Sequence, residues 1–135
     1  MFNFALIVWL LFCMAVPHSF ADNGCTNPQT TYDRTYCMAK LFIEADTEMG
    51  KVYKDLMKAL KPEQKTKLVQ AQRHWILFRN NACEKAGTIN VACNYQVLRD
   101  RMQFLSDRLR ECKTGYCRED LMFQENWQAP PSPHP

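Results

Sequence analysis

Apolar positions recur with a helical period along almost the whole middle of the chain. The first set is Cys37, Leu41, Ala45, Met49, Val52, Leu56 and Leu60, in steps of three and four. That spacing lines one face of a long amphipathic helix. Thr30 with Asp33 three residues on has the form of a capping box and marks where the helix starts. Gly50 lies inside it and weakens it by about 1 kcal/mol relative to alanine. Lys61-Pro62 ends the first helix and opens a second, because proline suits the first helical position. The second stripe is Leu68, Ala71, Trp75, Phe78 and Ala82, with Gly87 placed as its C-terminal cap. After a short connection, Thr88-Ile89-Asn90, a third helix carries Cys93, Val97, Leu98, Arg101, Met102, Leu105 and Leu109 on one side and ends near Cys112. Arg118–Trp127 reads as a short fourth helix. No segment alternates with the two-residue period of a strand. The expected fold is all-α: a disulfide-stapled antiparallel helical hairpin, a third packed helix and a short fourth.

The two ends of the chain break this pattern. Met1–Ala21 has an apolar run from Phe4 to Val16, then Pro17, and closes on Ser19-Phe20-Ala21. It reads as a secretory signal peptide cleaved after Ala21, and its apolar run is short for a membrane span. Residues 128–135, QAPPSPHP, read as a proline-rich, polyproline-like disordered tail. The folded domain is therefore expected over residues 22–127. Its destination is periplasmic or secreted, with no stable membrane insertion once the signal is removed.

Export changes how the cysteines are read. The chain has seven. Cys13 leaves with the leader, and Cys25, Cys37, Cys83, Cys93, Cys112 and Cys117 remain. An even number in a small exported domain points to three disulfides. Cys37 stands 24 residues before Lys61 and Cys83 stands 22 after it. On an antiparallel hairpin the two are level. Cys93 and Cys25 belong to the same end, and Cys112 and Cys117 to the opposite one. Cys112–Cys117 is one expected bridge. For the rest, Cys37–Cys83 with Cys25–Cys93 is preferred, and Cys25–Cys83 with Cys37–Cys93 is the alternative.

Chemistry is sparse. The mature chain has His74 and His134 and no C-x-x-C spacing, so neither a metal site nor any other cofactor is expected. No glycine-rich phosphate loop is present. His74 sits beside the apolar stripe with no nucleophile arranged around it. An enzyme is therefore not expected. A net charge of +3 is too mild for a nucleic-acid binder. What stands out is a set of groups that the hairpin brings level: Asp46 on the first helix, and Gln72, Trp75 and Arg79 on the second. Arg79, four residues after Trp75, can lie along the indole. With Tyr53 these form an expected structural clasp, since a buried Trp and Arg need partners.

The same residues carry a family resemblance. Cys25 and Cys37 open it. Ala45-Asp46-Thr47-Glu48-Met49-Gly50 with Tyr53 and Leu56 form a second block. Ala71-Gln72-Arg73, Trp75, Phe78-Arg79 and Cys83 form the most specific one. Cys93, Val97, Arg101 and Leu105 close it. Over about residues 25–109 the chain resembles the lysozyme inhibitor LprI N-terminal domain family. It departs at Gly50, where the family carries Asn, at Leu98, where it carries Thr, and in the short Glu84–Ala92 loop, which lacks a glycine-rich insertion. The resemblance implies a helical, disulfide-stapled envelope protein. It also implies a protein partner, lysozyme or another cell-wall hydrolase. Arg73, Lys85, Gly87, Thr88 and Asn90 are the expected contacts, with a basic group set near the target's catalytic carboxylates. The competing expectation is an immunity or structural partner of the envelope that does not inhibit lysozyme.

Overall fold

The computed structural model describes residues 25–128. The expected signal peptide, and the tail beyond Gln128, lie outside the described residues. Helix α1 spans Thr31–Ala59, α2 spans Pro62–Cys83, α3 spans Val91–Lys113 and α4 spans Glu119–Met122. Between α2 and α3 lies a two-stranded antiparallel hairpin, β1 at Glu84–Lys85 and β2 at Thr88–Ile89.

The starts of the helices follow local chemistry. The Thr30 hydroxyl accepts from the Asp33 backbone N–H at 3.0 Å, and the Asp33 carboxylate accepts from the Thr30 N–H at 3.1 Å. These bonds satisfy two backbone groups that helix geometry leaves open. The hydroxyl bond from Thr30, then its backbone bond, hold the Asp33 carboxyl below the usual carboxylate range. At the other end of α1, Leu60 turns extended and Pro62 begins α2. The Lys61 N–H donates to Gln64 Oε1 at 2.8 Å, which closes that corner. Gly50 sits within α1, and a Cβ added there meets no atom within 4 Å. Gly50→Ala is therefore expected to raise stability by about 0.5–1 kcal/mol, because alanine loses less backbone freedom in a helix. A thermal melt of the single variant checks this.

The core is the meeting of the three long helices. Leu56 from α1, Leu68 and Trp75 from α2, and Leu98 and Leu105 from α3 are fully buried, and Met122 of α4 plugs one end. Met49, Gln72 and Arg101 meet at one level: Gln72 Nε2 lies 3.9 Å from Met49 Sδ, and Arg101 Nε donates to Gln72 Oε1 at 3.0 Å. Met49 and Gln72 stand 12 residues before and 11 after the Lys61 corner, and Gln72 and Arg101 stand 11 before Cys83 and 8 after the bridged Cys93, so α2 runs antiparallel to both α1 and α3. The closest helix pair is α1 with α3. The expected α1–α2 hairpin is present, but α2 stands further off and Trp75 fills the space beneath it.

Three expectations need correction here. The bridges are Cys25–Cys37, Cys83–Cys93 and Cys112–Cys117. The last is as expected; the other two match neither the preferred pairing nor its alternative. The reason is local. The β-hairpin folds the chain straight back, so the last residue of α2 meets the first turn of α3, with Cα atoms 5.5 Å apart. Cys25 likewise folds back onto the start of α1, with Cα atoms 5.5 Å apart. All three bridges close short loops at the ends of the bundle. The second correction concerns Gly87. It is not the cap of α2, which ends at Cys83. It sits at φ 78° beside Ala86 at φ 48°, and together they make the hairpin turn. The fourth helix is also shorter than expected. After Met122 the chain leaves helical geometry and residues 123–128 run as a strap along α2 and α3.

Candidate functional site

The hairpin is the most exposed ordered feature at one end of the molecule. Every residue from Glu84 to Asn90 is exposed. Glu84 pairs with Ile89 and Lys85 with Thr88, leaving Ala86 and Gly87 as a two-residue turn. Two successive positive φ values match the type I′ turn, whose twist suits a tight hairpin. Four strand residues alone do not make a stable hairpin. The Cys83–Cys93 bridge at its base, and the Asn90 N–H donating to the Cys83 carbonyl at 2.9 Å, hold it. Ala86 carries a Cβ in the left-handed region, which costs about 1 kcal/mol. Ala86→Gly should recover about that amount in a denaturant titration without altering the hairpin.

The residues expected to contact a target separate in the structure. Lys85, Gly87, Thr88 and Asn90 all fall on the hairpin. Asn90 is committed to structure: its side chain accepts from the Cys93 N–H at 3.0 Å and caps α3. Gly87 serves the turn. Lys85 and Thr88 leave their side chains exposed. Ile89, absent from the expected contacts, is 61% exposed on β2. Its only signal in the sequence is an isoleucine inside an otherwise polar connection. Arg73 is exposed on α2 but stands ten residues before Cys83, about 15 Å along the helix axis. It is not part of the hairpin.

Other exposed apolar side chains gather toward the same end. Tyr32, Tyr36, Leu41 and Ile43 lie on the first half of α1, and Ile76 and Leu77 on the second half of α2. Antiparallel packing places both halves beside the hairpin. Tyr116, by contrast, is exposed at the opposite end. These positions fall on more than one helix face, so they count as separate exposed apolar side chains near the hairpin and not as a contiguous patch.

The interior polar cluster differs from the expected clasp. Arg79 lies over the Trp75 ring at 5.4 Å, bonded also to Asn80 Oδ1, while Gln72 is bonded to Arg101. Tyr53 is half-buried, and that burial raises its hydroxyl pKa. Asp46 is exposed, and among the described residues it makes no hydrogen bond to Gln72, Trp75 or Arg79. Its place is taken by Arg101 of α3, which is 2% exposed and donates to Gln72. Burial lowers the Arg101 guanidinium to about 10, which leaves it charged at neutral pH. The rings of Trp75, Phe104 and Trp127 face it at 5.9, 5.2 and 5.6 Å. Trp127 belongs to the strap, which is held by Lys67 over the Phe123 ring, by His74 Nδ1 at 2.6 Å from Glu125 Oε1, and by Trp127 against Phe78.

Among the described residues, no group of three or more His, Cys, Asp or Glu could hold a metal ion. No described helix is long and apolar enough to cross a membrane. The fold and its exposed end thus define a class: a small helical domain, stapled at its ends by three disulfides, presenting a clamped hairpin. The chain belongs to the lysozyme inhibitor LprI family, whose model matches residues 21–105. No curated protein and no solved structure matches it. The family match ends inside α3, so the Cys112–Cys117 turn and the strap lie beyond it.

Proposed function

We propose that the protein is exported to the cell envelope and inhibits lysozyme or a related peptidoglycan hydrolase by forming a stoichiometric complex, without catalysing a reaction. Membership of the LprI family is the observation that carries this reading. The three disulfides support an oxidising compartment. The clamped hairpin supports binding, because a loop held in one conformation loses less freedom on docking. In this reading the hairpin enters the hydrolase cleft. Lys85 approaches the acidic residues there, Thr88 and Ile89 pack at the cleft wall, and Gly87 and Asn90 keep the turn in shape. The apolar side chains of α1 widen the contact, and Arg73 meets the rim.

The test is a lysis assay on cell walls with animal-type, goose-type and invertebrate-type lysozymes. Saturable loss of lysis near one-to-one with at least one of them is the expected outcome. Full lysis by all three at excess protein would reject lysozyme as the target.

A further inference from the structure

We propose that the cleft between α2, α3 and the strap is a binding site for a small monocarboxylate carried on a ring-shaped body, with the two terminal amino groups of Arg101 as its fork. This is independent of hydrolase inhibition and uses a different part of the molecule.

Three observations lead there. Arg101 is 2% exposed, and its Nη1 and Nη2 have no hydrogen-bond partner among the described residues. A buried charge is costly unless it is paired, and a guanidinium offers five donors. Gln72 takes the Nε donor and the centroids of three aromatic rings lie 5.2–5.9 Å from the guanidinium carbon, so the Nη1–Nη2 edge is the one without a partner. That edge is the one that holds a carboxylate by two parallel bonds. Second, Arg101 lines a cleft of about 320 Å³. This lies at the small end of the range for ligand sites, so the ligand is small. Third, Trp75, Phe78, Phe104 and Trp127 also line it. Aromatic faces stack well on a flat ring or on the C–H face of a sugar.

The surrounding charges narrow the chemistry. Asp100 lies exposed in the cleft lining, and Glu125 is on the strap with its carboxylate against His74. Both repel an anion, and repel a dianion more than a monoanion, so a monocarboxylate is favoured over phosphate. Asn126 and Gln128, on the last residues of the strap, add amide groups to the lining. Nη1 and Nη2 are buried, and Trp127 of the strap lies 5.6 Å from the guanidinium, so in this proposal the ligand reaches them when the end of the strap shifts.

The experiment is a calorimetric titration of the oxidised full chain, with tryptophan emission followed in parallel because Trp75 and Trp127 both line the cleft. The probes are benzoate, an aromatic acid, and glucuronate, an acidic sugar. Benzyl alcohol, glucose and inorganic phosphate are the comparisons. Saturable one-to-one binding of benzoate or glucuronate, at least about tenfold tighter than its neutral counterpart and than phosphate, is expected. Which acid binds tells whether the body is aromatic or a sugar. Arg101→Lys keeps the charge but not the fork and should weaken binding about tenfold. Asp100→Asn alters an exposed residue and leaves the core intact. It should tighten the acid severalfold and leave the neutral probe unchanged. If neither acid saturates the folded protein, or if Asp100→Asn affects acid and neutral probe alike, the site assignment is overturned.

Discussion

Trp75→Ala is expected to lower stability by about 3–5 kcal/mol, the cost of removing a large aromatic side chain from a core. Trp75 is 1% exposed and fills the gap between α2 and the closely packed α1–α3 pair. Its ring also faces the guanidinium groups of Arg79 and Arg101. Removing it leaves a cavity beside a buried charge, so the loss should fall in the upper part of that range. A small domain has only about 5–15 kcal/mol in total. The melting temperature should therefore drop by at least about 12 °C. Trp127→Ala, at a half-buried position on the strap, should cost clearly less. Equal melting of the Trp75 variant and the parent would show that Trp75 is a surface contact and not the centre of the core.

The second large effect is expected at the base of the hairpin. Replacing both Cys83 and Cys93 by Ala opens a loop with a sequence separation of 10. The stability lost is about 2–3 kcal/mol on loop-closure grounds. Helix content should hardly change, because the bridge joins the ends of α2 and α3 and not their cores. What changes is the hairpin, which keeps the Asn90 cap and one backbone bond to Cys83 but loses its clamp. If the hairpin enters the target, inhibition should weaken by at least about tenfold, since the loop must then be ordered on binding. The matched comparison is Cys112→Ala with Cys117→Ala. That bridge closes a shorter loop at the opposite end. It should cost about 2 kcal/mol and leave inhibition intact. Circular dichroism and the lysis assay on both double variants separate the two contributions.

The helices were legible in the sequence because each buries one stripe, and burial writes a period of three and four into the residues. Thr30 with Asp33, and Pro62, marked two of the starts because helix ends have their own local chemistry. The bridges were not legible. The ladder from Lys61 placed Cys37 and Cys83 level, but level residues need not touch when α2 stands off from α1. The feature that decided the pairing was the turn at Ala86-Gly87. A glycine with positive φ fits a helix cap and a hairpin turn equally well, and Ala86 in the left-handed region gives no warning.

The interior cluster was half legible. Gln72, Trp75 and Arg79 share a helix face, so their proximity follows from spacing. Arg101 had a signal too: it was the charged residue on the apolar stripe of α3, which also carries Val97, Leu98 and Leu105. A charge at such a position needs a partner from another element, and that partner was Gln72, the residue expected to meet Asp46. The strap had no signal beyond its aromatic residues. Its course depends on Phe123, Glu125 and Trp127 each meeting a residue of α2, and no periodicity records contacts of that kind.

The central claim is that the clamped hairpin docks into a peptidoglycan hydrolase. The most direct measurement is the lysis assay with a lysozyme that the parent inhibits, titrated in parallel with a variant carrying Lys85→Glu and Ile89→Ser. Both positions are exposed, so the variant should melt like the parent. The expected result is one-to-one inhibition by the parent and inhibition at least about tenfold weaker by the variant, as for other residues central to an interface. Equal inhibition by the two proteins would contradict the claim and move the contact to another surface.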